Sequence, residues 1–207
     1  PAQSHSAAPL ITALAVWGAV LASGAALGKL TPSHAAQVPA AELAEVHSGW
    51  TVESGTLAIE VTQMGSPVSG EFADWTAAIT FNEPAAPGPA GNVEVVIAIP
   101  SLTLGTVTSQ AMGADYFDSA QFPTATFTAD IEKLAAGYEA RGSLTIRDQT
   151  LPVVLPFTLD LDGDAASMSG SLSLNRLDFG VGQSLADEGS LAFAVNVSVD
   201  LNARRSE

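Results

Sequence analysis

Cysteine is absent from the 207-residue chain, and basic side chains are scarce. Without cysteine the protein has no disulfide bond, no thiolate metal site and no cysteine nucleophile. Lysine and arginine together number 7 against 22 aspartate and glutamate residues, so the formal net charge is −15. Because phosphate groups bind to basic surfaces, this balance argues against nucleic acid as a partner. Apolar residues make up 47% of the sequence, enough to build a folded core.

Histidine is also scarce, and the three histidines all lie at or before His47. Neither a Ser-His-Asp triad nor a histidine general base can therefore form within the rest of the chain. Asp160, Asp162 and Asp164 cluster around a predicted turn. A calcium loop that began at Asp160 would need glutamate at its twelfth position, where the chain has Ser171. The sequence predicts neither catalytic residues nor a metal site, and the histidines are interpreted as solvated.

The first 41 residues carry one charged side chain, Lys29, and residues 10–27 form a run of 18 residues without charge. Roughly 20 apolar residues cross a bilayer as a helix, so the run predicts a membrane anchor within residues 1–28. A signal-peptide core and a buried soluble helix are the alternatives. A signal peptide opens with methionine and a basic region, whereas this chain opens at Pro1, which we expect not to be the native start. Residues 29–47, rich in alanine and proline, predict a linker.

After Gly49, apolar and polar residues alternate with a period of two in about eight segments. These segments are residues 57–61, 75–81, 93–99, 125–131, 138–146, 151–161, 168–174 and 191–201. Alternation repeated this often predicts an antiparallel sheet with one apolar face. A closed barrel and a two-sheet sandwich both satisfy the pattern. Residues 106–117 break it and are expected to be irregular or briefly helical.

Several motifs in order resemble those of the YceI-like family. They are ADYFDSAQFPTATFTADI at residues 114–131, YEARGSLTIRDQTLPVVLPFTL at 138–159 and NRLDFGVG at 175–182, after a fitting opening at 50–82. The resemblance covers about residues 48–203. It implies an all-β fold, an antiparallel eight-stranded lipocalin-like barrel at residues 48–204, which binds polyisoprenoids.

At two positions the sequence departs from the usual family motifs, and these departures are similar to those of one subgroup. Thr62-Gln63-Met64-Gly65 stands where the family often carries histidine and a second glycine, and Asp148 stands where the motif LTIRG has glycine. Together with the upstream hydrophobic run, they resemble proteins in which the barrel follows a cytochrome b561-like membrane unit. This resemblance implies that residues 10–27 are a tether and that a b-type cytochrome portion lies upstream as a partner.

The candidate ligand-binding residues are aromatic or aliphatic side chains of the inward faces and motifs, together with one arginine. They are Phe72, Trp75, Ile79, Phe81, Val95, Ile97, Tyr116, Phe117, Phe122, Phe127, Leu144, Phe157, Arg176, Phe179 and Phe193. Tyr116, Phe117 and Phe122 are expected at a barrel mouth, either as core packing or against an isoprenoid tail. Arg176 is expected to pair with Asp178 or with a carboxylate across the rim. Alternatively, Arg176 contacts the head group of a lipid, either its diphosphate or its quinone oxygen.

The resemblance implies that the barrel binds and carries an isoprenoid lipid, a quinone or a polyprenyl phosphate, without a covalently bound cofactor. It also implies a periplasmic or other extracytoplasmic location, tethered through residues 10–27, with secretion after signal removal as the alternative. One alternative function is an accessory module of a membrane b-type cytochrome in quinone-linked electron transfer. Another is a structural barrel without ligand, which a lumen closed by Trp75, Phe117 and Phe127 would favour.

Overall fold

The computed structural model describes residues 43–44 and 49–206, and most of the regular structure there is β-strand. The strands are β1 (Trp50–Gln63), β2 (Ser66–Phe72), β3 (Trp75–Phe81), β4 (Gly88–Ala98), β5 (Leu102–Thr103), β6 (Thr124–Lys133), β7 (Tyr138–Ile146), β8 (Gln149–Asp162), β9 (Ala165–Asn175) and β10 (Leu191–Arg205). Short 3-10 turns occur at Ile99–Ser101, Gly105–Val107 and Arg176–Phe179, and one α-helical turn, α1, at Thr108–Ala111.

Eight of the strands close into an antiparallel barrel in the order β1-β10-β9-β8-β7-β6-β4-β3. β10 pairs with β1 along most of its length, from Trp50 opposite Arg205 to Gln63 opposite Leu191. β3 returns to β1 at the pair Trp50–Ile79. β2 and β5 extend this barrel, because β2 pairs with β1 and β5 pairs with β2. The predicted eight-stranded antiparallel barrel is confirmed, and the sandwich is not the architecture that forms.

Alternating residues on β10 show why such sequences form barrel strands. Val195, Val197 and Val199 are half-buried and face the lumen, whereas Asn196 and Ser198 between them are exposed. Because successive side chains of a strand point to opposite faces, one face of the sheet is apolar and the other is wet. Closing the sheet turns the apolar face inward and leaves few unpaired edges.

Tight turns join several of the neighbouring strands. Met64 and Gly65 connect β1 to β2 with φ angles of 49° and 77°. Two positive φ angles are the signature of the type I′ turn, whose twist matches that of the flanking strands. Arg147 and Asp148 connect β7 to β8, and Arg147 has a φ of 57°, an uncommon conformation for a residue with a side chain.

Two long connections cover the same end of the barrel, and we call them together the cap. The first comprises residues 99–123 between β4 and β6, and the second residues 176–190 between β9 and β10. They join where the Gly182 amide donates to the Asp115 carbonyl oxygen at 2.6 Å. The expectation that residues 106–117 are irregular or briefly helical is confirmed, since they hold a 3-10 turn, α1 and further turns.

The predicted membrane helix at residues 10–27 lies outside the described residues, as does all of the predicted linker except residues 43–44. In the part of the chain that the structure describes, no helix has the length and hydropathy needed to cross a bilayer. The domain boundary at residue 48 stays a prediction.

Candidate functional site

The barrel encloses a cavity of about 240 Å³, lined by residues from β1 to β4 and β6 to β10 and from the cap. All but one of the lining residues are apolar, and the exception is Arg176. The lining runs from Trp50 and Ala203 near one end to Phe117 and Phe179 in the cap at the other. The lumen is therefore a continuous apolar chamber along the inside of the barrel.

Many lumen residues are only half-buried although they point inward. Ile79, Val95 and Phe157 are examples, and each of them lines the cavity. In a close-packed core such side chains would lose nearly all of their exposed surface to neighbours. Their residual exposure is consistent with side chains that face the cavity and not a close-packed core. This is the property that a ligand could use.

Aromatic side chains close the end of the lumen opposite the cap. Trp50 is 2% exposed, and its indole Nε1 donates to the Phe81 carbonyl oxygen at 3.0 Å. The Phe81 ring contacts Tyr138 edge-on at 5.8 Å, and Tyr138 stacks on Phe157 at 5.5 Å. The guanidinium of Arg205 lies 4.6 Å from the centre of the Trp50 ring. These contacts hold large rings across the barrel end in defined orientations.

A polar network lies outside these rings. Lys133 Nζ donates to Glu83 Oε1 at 2.6 Å and to the Pro84 carbonyl oxygen at 3.0 Å, and the Tyr138 hydroxyl donates to Glu83 Oε1 at 3.1 Å. The hydrogen bond from Lys133 lowers the pKa of the Glu83 carboxyl, and the same bond raises the pKa of Lys133. Burial raises the pKa of the Tyr138 hydroxyl. The network connects the β3–β4 loop to β6 and β7.

At the cap end, Arg176 is 4% exposed and donates every N–H of its guanidinium to main-chain carbonyl oxygens. The acceptors are Ala192 from Nε, Val181 and Gly182 from Nη1, and Leu185 and Leu191 from Nη2. Four of these bonds measure 2.6–3.0 Å. Burial lowers the pKa of the guanidinium, whose ordinary value is so high that it stays charged. Arg176 thus holds the second connection of the cap in place.

The predicted pairing of Arg176 with Asp178 is wrong. Asp178 is exposed, and no carboxylate of the described residues lies within ion-pair distance of Arg176. The physical reason is that five carbonyl oxygens of residues 181–192 converge on the guanidinium and satisfy its full donor capacity. The same saturation leaves no N–H for the head group of a lipid.

Arg147 connects the two parts of the cap. Its Nη1 donates to the Tyr116 carbonyl oxygen at 3.0 Å in the first connection and to the Gly180 carbonyl oxygen at 2.7 Å in the second. Its Nε is buried without a hydrogen-bond partner, and its guanidinium lies 5.8 Å from the centre of the Phe122 ring. The turn between β7 and β8 is therefore fixed to both connections through one side chain.

Twelve of the candidate residues lie on the lumen wall. They are Phe72, Trp75, Ile79, Phe81, Val95, Ile97, Phe117, Phe127, Leu144, Phe157, Arg176 and Phe179. Tyr116, Phe122 and Phe193 lie outside the lining. The Tyr116 hydroxyl accepts a hydrogen bond from Gln110, whereas the rings of Phe122 and Phe193 pack under the guanidinium groups of Arg147 and Arg176. Whether the lumen residues bind a ligand stays a prediction.

Several lumen residues were not among the sequence candidates. They are mostly aliphatic and include Leu57, Ile59, Val93, Val153, Leu159, Met168, Leu172, Leu174, Val195, Val197, Val199 and Leu201, together with the aromatic Trp50. The alternation of each strand could have found them, because they share an inward face with chosen neighbours. The sequence candidates were mostly aromatic residues or members of the family motifs, and most of these residues are neither.

Within residues 43–44 and 49–206, no group of three or more histidine, aspartate or glutamate side chains is arranged to hold a metal ion. The cluster at Asp160, Asp162 and Asp164 lies on and beside the β8–β9 turn, where the three residues are exposed. The arrangement of the site is that of an apolar chamber inside the barrel.

The sequence matches the family model of the YceI-like domain over residues 46–203. No curated protein matches it in sequence. Among solved structures, BcnA of Burkholderia cenocepacia is 28% identical with a TM-score of 0.66, over 72% of this chain and 95% of that one. The Campylobacter jejuni YCEI protein is 24% identical with a TM-score of 0.62, over 69% of this chain and 87% of that one. The chain belongs to the family of YceI-like domains, barrels of a lipid-binding fold.

Proposed function

We propose that the barrel carries an isoprenoid lipid whose prenyl tail occupies the lumen. The observation that supports this most directly is the continuous cavity, whose lining is apolar except for Arg176. Burial of apolar surface contributes roughly 25 cal/mol per Å², so a long prenyl tail gains several kcal/mol on leaving water. A prenyl tail has no polar groups, so the lumen wall needs only an apolar surface of matching shape to bind it.

The head group that suits this barrel is neutral, as in a quinone. An anionic phosphate would need unsatisfied donors, and Arg176 has already given all of its N–H groups to carbonyl oxygens. The chain also carries a formal charge of −15, which repels anions at long range. We therefore favour an isoprenoid quinone over a polyprenyl phosphate.

The proposed carrier works outside the cytoplasm, tethered to the membrane through residues 10–27. Both parts of this placement come from the sequence and its family resemblance. Association with a b-type cytochrome upstream, the absence of catalysis and the absence of a covalent cofactor stay predictions. A cavity inside the barrel favours a carrier over a structural barrel with a filled core.

The test is a titration of the 207-residue chain with a long-chain isoprenoid quinone. Trp50 and Trp75 line the lumen, so a bound quinone should quench their fluorescence. Val197→Phe adds a ring on the lumen side of β10, and we expect it to weaken binding at least tenfold, by about 1.4 kcal/mol. Ser198→Phe adds the same ring to the exposed face of the neighbouring residue and should leave binding unchanged.

A quinone with the same ring but no prenyl tail should bind far more weakly than the long-chain form. If the long-chain and the tailless quinone quench the fluorescence equally and saturably, the ligand does not bind in the lumen. The same conclusion follows if Val197→Phe and Ser198→Phe bind the long-chain quinone equally well. Preference for polyprenyl phosphate over the quinone in competition would contradict the neutral head group.

A further inference from the structure

The pairing of β8 with β9 stops partway along the barrel wall. The ladder runs from the turn as far as Phe157 opposite Gly170 and ends there. On its other side, β8 pairs with β7 without interruption to the pair Ile146–Gln149. Residues 149–156 and residues 171–175 therefore belong to neighbouring strands with no ladder between them, and we call the space between these two segments the gap.

Two prolines account for the missing pairs. Pro152 and Pro156 lie opposite Ser143 and Glu139 in the intact ladder with β7. A proline has no N–H to donate, so it can keep such a position only if its nitrogen faces away from β7 and towards the gap. A continuation of β9 alongside this part of β8 would lose two ladder bonds. The gap is thus built into the sequence of β8.

The two edges of the gap carry no charge, and the side chains that they turn towards the lumen are apolar. Val153 on β8 and Leu172 and Leu174 on β9 line the lumen and are half-buried. Val154 is 36% exposed on the outer side, between the two exposed prolines. Neither segment of the gap contains a charged residue, in a chain with 29 such residues. Such a rim fits the passage of a hydrocarbon chain, because no ion there has to be desolvated.

The second connection of the cap closes the gap from one end. Phe179 and Val181 are buried in the same cluster as Leu144 and Leu155, on the wall beside the gap. Arg147 holds this connection through its bond to the Gly180 carbonyl oxygen. Displacement of residues 179–181 would therefore widen the gap, and Arg147 opposes that displacement.

A second interruption, between β1 and β3, is already filled. These strands pair at Trp50–Ile79, and β1 pairs next with β2 at Leu57–Phe72. A Cβ atom placed on Gly55 would lie 2.9 Å from the Trp75 ring, so the indole packs directly on the main chain there. The Trp75 side chain therefore occupies the interruption between β1 and β3.

We propose that the gap is the route by which the prenyl tail enters and leaves the lumen, and that Arg147 is a positioning residue that sets the rate. The proposal rests on the proposed function, since it assigns a path to the same ligand. The tail slides between two uncharged strand edges into the lumen, and the second connection of the cap moves aside without unfolding the barrel.

A reversible cross-link tests the route, and the lack of cysteine in the chain makes introduced thiols unique. Val154→Cys with Ser173→Cys places two thiols on opposite edges of the gap, at positions that would be paired if the ladder continued in register. A bifunctional thiol reagent with a cleavable disulfide then joins them. Loading from phosphatidylcholine vesicles that carry the long-chain quinone is followed by tryptophan quenching.

We expect the cross-link to slow loading and release at least tenfold, and reduction of the reagent to restore both rates. The control pair is Val154→Cys with Arg141→Cys, which are opposite each other in the intact β7–β8 ladder. Its cross-link should leave the rates unchanged. If the gap cross-link also leaves them unchanged, the route is wrong; if the uncross-linked protein takes up no quinone, the proposed function itself fails.

Removal of the Arg147 side chain provides an independent measurement. Arg147→Ala should accelerate loading and release together by about tenfold, equivalent to about 1.4 kcal/mol, while the Kd stays within about twofold. Arg141→Ala removes an arginine whose partner is Glu139 on the outside of the same strand, and it should change neither rate. Loading and release rates of Arg147→Ala that equal those of the wild type would show that Arg147 does not set the rate.

Discussion

Arg176 donates all five N–H groups to main-chain carbonyl oxygens, which makes it the main anchor of the second connection of the cap. A buried charge is costly unless it is hydrogen-bonded, and here the bonds come from the backbone and not from a carboxylate. The side chain lines the lumen, but all of its hydrogen bonds go to carbonyl oxygens of residues 181–192. Its role is therefore structural, at the boundary between the cap and the chamber.

Substitution of Arg176 should cost far more stability than substitution of an exposed arginine. In Arg176→Met the aliphatic stem is kept while five carbonyl oxygens lose their donor, and we expect a loss of at least ~3 kcal/mol. Arg141→Met removes an exposed ion pair with Glu139 and should cost less than about 1 kcal/mol. Urea unfolding measures both. A loss below about 1 kcal/mol for Arg176→Met would show that the five bonds do not hold the cap.

At the scale of the elements, the network of Glu83, Lys133 and Tyr138 connects a loop to two strands beyond the aromatic end of the lumen. The pKa of the Glu83 carboxyl is lowered in the folded protein, chiefly by Lys133. Its stabilising effect is therefore complete above the ordinary carboxyl pKa and is lost as the pH falls through the lowered value. The pKa of Lys133 is raised, so the effect of its charge is lost only at high pH.

Glu83→Gln should flatten the acid side of the stability profile. Between about pH 6 and pH 3 the urea midpoint of the wild type should fall more steeply than that of the variant, and added salt should reduce the difference. Glu94→Gln on the outer face of β4 is the control, because Glu94 makes no ion pair within the described residues. Parallel profiles for wild type and Glu83→Gln would contradict a linkage through this carboxyl.

The strands were predictable from the sequence because the lumen imposes one rule on all of them. Apolar residues such as Val195, Val197 and Val199 alternate with polar ones wherever one face of a strand lines the lumen and the other faces solvent. β5, with two residues, is too short to show a period. Ile99 was expected on the inward face of a strand but lies in a 3-10 turn, because Pro100 cannot continue a ladder.

Small residues on the inward faces show what sequence reasoning could not separate. Ala77, Ala125 and Ala140 line the cavity and leave room inside. At Gly142, by contrast, an added Cβ would lie 2.0 Å from the Thr128 carbonyl oxygen, so this glycine permits close approach of two strands. The roles of Arg176 were equally hidden, because the carbonyl oxygens that satisfy it come from a loop whose path no side-chain pattern encodes.

At the largest scale, the described residues 49–206 form a chamber with one end closed by aromatic rings and the other end covered by a cap that arginine side chains hold. Aromatic rings close the end at Trp50 and Tyr138, whereas Arg147 and Arg176 hold the cap. In the proposed function this chamber hides an apolar guest from water, and in the proposed route the guest leaves through the gap beside the cap. Retention and release are the two properties that such a carrier needs.

The carrier function is tested most directly by native mass spectrometry of residues 45–207, which leave out the predicted membrane anchor and can be purified without detergent from a host that makes quinones. We predict an adduct of several hundred daltons that extracts into organic solvent and fragments as an isoprenoid quinone. The fraction of protein that carries the adduct should be much lower in Val197→Phe than in Ser198→Phe, which should match the wild type. An unliganded mass, with no uptake after addition of a long-chain quinone or a polyprenyl phosphate, would contradict the carrier function.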